Sequence, residues 1–206
     1  VKKFEEFPIR NIAIVLLVLL LNGCAASGIT LNSMYLKQNY LQLIQYAGQY
    51  ENLDDYGVLK VCQSLVRVEL FDEFYACFAE LKSRAKRQGG ALNGQINEPF
   101  TPSLTDAVFD TMLAEVESNL GNYEKAAEHA ERALDILARE PYSVHTIVDV
   151  AGTDYEAIRV LLTTYPALHD KARTLSTIQR AKDLSRYRYR GETGFRLIID
   201  LKITIM

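Results

Sequence analysis

D-A-V-F-D-T-M-L-A-E-V-E-S-N-L-G-N-Y-E-K-A-A-E-H-A-E-R-A-L-D-I-L, Asp106 to Leu137, is the stretch whose reading decides the fold. Phe109, Met112, Leu113, Val116 and Leu120 recur at the helical period. So do Tyr123, Ala126, Ala127, Ala130, Leu134 and Leu137. Gly121 stands between the two runs and supplies a turn. Two amphipathic helices joined by so short a connection fold back on one another. Small side chains at Ala114, Ala126 and Ala133 let their backbones approach closely. The pattern predicts an antiparallel hairpin turning at Asn119–Asn122.

Outward from it the same period recurs. Upstream, Leu36, Tyr40, Leu43, Ile44 and Ala47 line one face of a helix that Gly48 breaks. Val58, Val61, Cys62, Leu65 and Val66 line a second, and Phe71, Phe74, Tyr75, Phe78 and Leu81 a third. The segment 88–105, rich in Gly, Asn and Pro from Gly89 to Ser103, has no apolar face and exceeds the usual length of a helix connection. It reads as an insertion, a mobile arm or a binding loop. Downstream, Pro141 ends the block, and β-branched Ser143–Val150 reads as a short strand or a linker. Gly152-Thr153-Asp154 offers a helix cap before Tyr155, Ile158, Leu162 and Tyr165. Pro166 must kink or end that helix. Leu168, Ala172, Leu175, Ile178 and Ala181 then resume the period, and the final L-I-I-D-L-K-I-T-I-M is strand-like. One hairpin cannot bury both of its faces, so hairpins must stack. The fold class expected is all-α, stacked antiparallel helical hairpins with a short irregular C-terminal tail. A helical stack normally ends in a polar capping helix, which this apolar tail is not.

The Asp106–Leu137 stretch resembles one tetratricopeptide repeat, two helices in about 34 residues. The resemblance rests on Leu113 and Ala114 in the first helix, Gly121 and Tyr123 at the turn, and Ala126, Ala130 and Ala133 in the second. It implies that these residues pack the repeat and that Tyr123 wedges between hairpins. Asp55 to Leu81 fits the template more loosely, with Val61 and Cys62 at the Leu113 and Ala114 positions, Phe71 at Tyr123, Phe78 at Ala130 and Leu81 at Ala133. Tyr155–Leu184 is a third and poorer match, interrupted by Pro166. The Tyr155–Leu168 stretch is also similar to a group of tetratricopeptide-like bacterial lipoproteins. The resemblance implies a concave surface that receives a protein or peptide.

The start of the chain points the same way. Lys2, Lys3 and Arg10 precede a ten-residue apolar run, Ile12–Leu21, which ends in L-N-G-C at Leu21–Cys24. A membrane span needs about 20 apolar residues, whereas a signal h-region needs about 7–15. Residues 1–23 therefore resemble a bacterial lipoprotein signal peptide, although Asn22, Glu5 and Glu6 depart from the usual pattern. The resemblance implies cleavage before Cys24, diacylglycerol on its sulfur and acylation of the new N-terminus. Residues 24–31 would then be a tether, 32–140 the helical domain, and 141–206 further helices and a basic, strand-like tail. Ala25 stands where Asp would retain an inner-membrane lipoprotein, so the expected location is the cell envelope, on the periplasmic face of the outer membrane.

Composition limits the chemistry. The first 23 residues hold three basic and two acidic side chains, which leaves 20 Lys and Arg against 24 Asp and Glu, a net charge of −4. A nucleic-acid binder needs a basic footprint that this balance does not supply. Cys62 and Cys77 should lie on neighbouring helices, since one follows the other across a short turn near Leu70. Their apolar surroundings favour two buried thiols over a disulfide, which an extracytoplasmic site would also permit. No His or Cys pairing has metal spacing, no catalytic constellation stands out, and no cofactor is expected. His129 beside Glu128 reads as a solvated histidine. Arg186, Arg188 and Arg190 in R-Y-R-Y-R read as a solvated helix end, with contact to a polyanion or an anionic membrane as the functional alternative. The function expected is a non-catalytic, lipid-anchored scaffold for an envelope partner. The alternative is an envelope enzyme, or an accessory to one, acting on cell-wall polymer.

Overall fold

Four residues in left-handed backbone mark the plan of the molecule. The computed structural model describes residues 28–48, 52–93, 101–139 and 147–187. Within them Gln38, Glu69, Gly121 and His169 have φ of 59°, 59°, 78° and 57°. Each sits in the same pair of turn bonds. Its own N–H donates to the carbonyl three residues back, and the next N–H donates to the carbonyl five residues back. The second bond runs from Asn39 to Met34 (3.1 Å), Leu70 to Leu65 (3.0 Å), Asn122 to Glu117 (2.8 Å) and Asp170 to Tyr165 (2.9 Å). This is a Schellman closure, which satisfies helix-end carbonyls and reverses the chain.

The four turns join eight helices into four hairpins. These are α1 (Gly28–Leu36) with α2 (Tyr40–Ala47), α3 (Asp55–Arg67) with α4 (Phe71–Arg87), α5 (Pro102–Asn119) with α6 (Tyr123–Arg139), and α7 (Ile147–Ala167) with α8 (Lys171–Tyr187). Each first helix, α1, α3 and α5, packs on the next first helix, and α2 and α6 pack on the first helix that follows them. No two second helices pack as closely. The first helices therefore form the tighter, inner layer of the stack. Among the described residues the fold is all-α, stacked antiparallel helical hairpins, as the periodicity predicts. Local chemistry fixes the starts of α3 and α5. The Asp54 carboxylate accepts from Gly57 N–H at 2.6 Å, and Thr101 Oγ1 accepts from Leu104 N–H at 3.2 Å with Pro102 following.

The core is continuous from Leu31 and Leu43 through Leu65, Phe74 and Leu81 to Ile158, Leu161 and Tyr165, all essentially inaccessible. Ala114 of α5 and Ala126, Ala130 and Ala133 of α6 are fully buried. Gly121 lies at the reversal where the sequence places it.

Several expectations are corrected. Cys62 and Cys77 form a disulfide, with Cα atoms 5.6 Å apart. The tight turn sets them opposite each other at bonding distance, so burial brings the sulfurs together instead of isolating two thiols. Leu36 to Ala47 is not one helix, because Gln38 turns the chain without a glycine and Leu36 is 70 % exposed. Helix α1 begins at Gly28, inside the stretch expected to be a tether, and Leu31 is buried. Ile147–Val150 is helical and Gly152-Thr153-Asp154 lies inside α7, so neither a strand nor a cap forms there. Helix α7 ends one residue beyond Pro166, in keeping with its expected break.

The segment after α4 is partly packed, not free. Leu92 is buried and its N–H donates to Thr105 Oγ1 at 3.2 Å. The buried carboxylate of Asp55 accepts from Gln88 Nε2 at 2.8 Å and from Asn93 N at 3.2 Å. Leu120, Tyr75 and Leu175 were expected on apolar faces but are exposed. The L-I-I-D-L-K-I-T-I-M segment and the rest of the expected irregular tail lie outside the described residues.

Candidate functional site

The inner layer carries one charged cluster that joins three hairpins. Arg67, the last residue of α3, bonds Glu115 Oε1 of α5 at 2.7 Å through Nη1, and bonds Glu156 Oε1 of α7 through Nη2. Arg159, one turn along α7, bonds the same Glu115 oxygen at 2.6 Å and Glu156 Oε2 at 2.8 Å. Two guanidinium groups and two carboxylates thus close a ring across α3, α5 and α7. The Arg67 and Glu115 side chains are only 16 % and 10 % exposed. The charges are partnered and largely withdrawn from water, while Arg67 Nε is buried with no hydrogen-bond partner.

Burial and charge pull these groups in different directions. Burial pushes Glu115 above the ordinary carboxylate range, despite Arg67 and Arg159. Burial also opposes the charge on Glu156, but Arg67 and Arg159, one on each of its oxygens, hold it below that range. For Arg67 the desolvation cost is outweighed by Glu156 and Glu115, so its guanidinium stays charged. Burial drives the Tyr35 phenol well above its usual value, partly offset by Arg67.

Tyrosines extend this surface toward the first hairpin. The rings of Tyr35 and Tyr40 lie 5.4 Å apart, and Lys60 Nζ sits 4.9 Å from the ring centroids of both Tyr35 and Tyr56. On α3, Tyr56, Lys60, Gln63 and Arg67 follow one another at helical spacing, so they share a face. On α7, Glu156, Arg159 and Thr163 do the same. The inner layer is therefore a polar and aromatic strip crossing all four hairpins.

A second recess lies on the other side of the stack, between α6, α7 and α8. Its volume is about 720 Å³. Glu124, Glu128, Glu131 and Asp135 run down its α6 wall, with Tyr165 and Leu168 opposite. Tyr165 Oη donates to Glu131 Oε1 at 2.7 Å, and Arg180 Nη1 donates to Glu131 Oε2 at 3.2 Å. His129 is not simply solvated. Its Nδ1 lies 2.8 Å from Asp110 Oδ1, and Arg132 donates to both oxygens of that buried aspartate, at 2.8 and 2.9 Å. The three side chains bind α5 to α6.

The residues expected to pack a repeat lie on α5, on α6 and in the turn between them. Ala114, Ala126, Ala130 and Ala133 are fully buried, Leu113 is partly buried against the core, and Tyr123 is half-buried at the start of α6. Arg186 falls in the last turn of α8, whereas Arg188, Arg190 and Cys24, the residue expected to be lipidated, lie outside the described residues. The Arg67–Glu115–Glu156–Arg159 ring was not foreseen. Its members are spread over some ninety residues and have no local sequence signature. Among the described residues no group of three or more His, Cys, Asp or Glu side chains is placed to hold a metal ion. No described helix is long and apolar enough to cross a membrane. No family model, curated protein or solved structure matches this chain.

Proposed function

We propose that the protein is a lipid-anchored scaffold of the cell envelope, whose stacked hairpins, of the tetratricopeptide kind, hold a protein or peptide partner. The observation that carries this reading is the inner strip of Tyr35, Lys60, Glu115 and Arg159, set one on each of the four first helices α1, α3, α5 and α7, the last three of which are braced by the ion-pair ring. Such a surface offers an extended segment a row of hydrogen-bonding and aromatic groups on a rigid support. The Cys62–Cys77 disulfide supports the extracytoplasmic part of the reading, because structural disulfides persist where the surroundings are oxidising. The signal-like residues 1–23 and Cys24 support the anchor.

The enzyme alternative would draw on Glu115 and Glu156 as paired carboxylates. Both are engaged by Arg67 and Arg159, which suits bracing better than proton transfer. The scaffold reading is tested by capture from detergent-solubilised envelopes with three forms of the full chain. These are the unaltered protein, Thr163→Arg on the exposed inner strip, and Tyr75→Arg on the outer layer. A partner retained by the unaltered protein and by Tyr75→Arg, but lost with Thr163→Arg, is expected. Identical capture by all three would remove the inner strip as the binding surface.

A further inference from the structure

Among the described residues, the last hairpin leaves exposed a surface whose counterpart in its predecessor is covered. Counted from the left-handed turn residue, Leu162, Thr174, Leu175 and Ile178 of α7–α8 stand where Ala114, Ala126, Ala127 and Ala130 stand in α5–α6. Those four alanines are buried, and α7 packs against both α5 and α6. In the last described hairpin the same positions, with Pro166 and His169, line a groove of about 470 Å³. Leu175 is 56 % exposed where Ala127 is 6 % exposed. Leu175 and Ile178 thus set larger apolar side chains, one of them exposed and one only partly buried, where the preceding hairpin has buried alanines. A stack that ends on such a face needs a cap.

We propose that residues 195–206 of this same chain are that cap, laid along the α7–α8 groove. Their pattern fits the task. Phe195, Leu197, Ile199, Leu201, Ile203 and Ile205 alternate with Arg196, Ile198, Asp200, Lys202, Thr204 and Met206. An extended segment of this pattern carries one wholly apolar face and one mostly polar face. The geometry permits the return. Helix α8 ends at Tyr187, and its length back to Leu175 is about 18 Å at the helical rise. The seven residues from 188 to 194 span up to about 23–25 Å when extended, and Gly191 and Gly194 ease the reversal. The polar face of the segment would then be the outer end of the stack, which an uncapped Leu175 cannot be.

The test is photo-crosslinking of the full chain in detergent, with Leu175 replaced by p-benzoylphenylalanine and Tyr75 so replaced as a control. The expected product is an intramolecular adduct of monomer mass, mapped by mass spectrometry to a peptide within 195–206, with little from position 75. A dimer adduct would mean that a second copy covers the groove. An adduct elsewhere in the chain, or a yield no greater than at position 75, would equally overturn the proposal. In the Leu175 photoprobe protein, Ile199→Asp with Ile203→Asp should lower the yield at least fivefold while the helical circular dichroism is kept. An unchanged yield would also overturn it.

Discussion

Arg67 and Glu115 lie 2.7 Å apart at the meeting of two successive hairpins, and neither is freely solvated. Removing one member of such a pair leaves the other as a buried, uncompensated charge. Arg67→Leu strips Glu115 and Glu156 of a shared partner and should cost about 3–5 kcal/mol, toward the lower end because some solvent reaches the guanidinium. Urea unfolding measures it. Glu115→Gln in the Arg67→Leu background should restore part of the loss, since it removes the stranded charge. A double variant no more stable than Arg67→Leu alone would show that the ring contributes nothing as a unit.

The Cys62–Cys77 bond closes a short loop over a sequence separation of 15. In the chain-entropy picture a loop of that size stabilises by about 3 kcal/mol. Changing both cysteines to Ala should lower stability by that order, and reduction of the unaltered protein should do the same. Thiol labelling of denatured, unreduced protein should find both residues unreactive. Two reactive thiols would exclude the bond.

Ala126 has no accessible surface at the α5–α6 contact. Ala126→Leu should overpack it and cost about 1–3 kcal/mol, with the accompanying fall in melting temperature. An unchanged melting temperature would mean that the close approach of these helices does not depend on a small residue there.

What the sequence disclosed follows from what is local. Gly121 and the alanines of α5 and α6 announce their hairpin, because a left-handed turn and a close helix contact both favour recognisable residue types. Gln38, Glu69 and His169 take the same left-handed backbone without a glycine. By periodicity alone the α1–α2 reversal therefore passes for one helix, although its bonds repeat those at Gly121. Burial correctly placed Cys62 and Cys77 inside, yet a thiol and a disulfide are buried alike, and only their separation across the turn hinted at the bond. Asp55 holding Asn93, and Arg67 holding Glu115 and Glu156, join side chains that are near only after folding. No periodicity marks such pairs.

Tyr165 supplies a test at alkaline pH. Burial, and then the bond to Glu131, push its phenol up to about 12. A folded-state value above the unfolded one means that this group's contribution to stability is fully present below about pH 10. It is lost as the pH rises from there toward 12. Difference absorption at 295 nm should show Tyr165 ionising late, together with a loss of helical signal in that window. Tyr165→Phe should remove that group's share of the alkaline loss while weakening the fold at neutral pH through the missing bond to Glu131. Ionisation of all twelve tyrosines near pH 10 in folded protein would contradict the assignment.

Cys24 is where the proposed anchor is tested. One acyl chain, at about 0.8 kcal/mol per buried CH₂, holds a protein to a bilayer only marginally, whereas two or three hold it stably. The described helices offer no membrane-spanning segment of their own. If the proposed anchor holds, stable attachment should therefore depend on acyl chains at this residue. The unaltered protein is expected to be cleaved before Cys24, to carry the mass of its acyl groups there, and to fractionate with the outer membrane. On the proposed reading, Cys24→Ser removes the sulfur that would accept the diacylglycerol, and with it the substrate of the cleavage that would follow. The variant should accumulate as an uncleaved precursor held by residues 1–23, lacking the acyl mass. Helical content and the Cys62–Cys77 bond should be unaffected, because Cys24 precedes the first described helix. Normal processing of Cys24→Ser together with unchanged outer-membrane fractionation would defeat the lipoprotein assignment, while leaving the hairpin stack and its inner strip to be judged on the capture experiment alone.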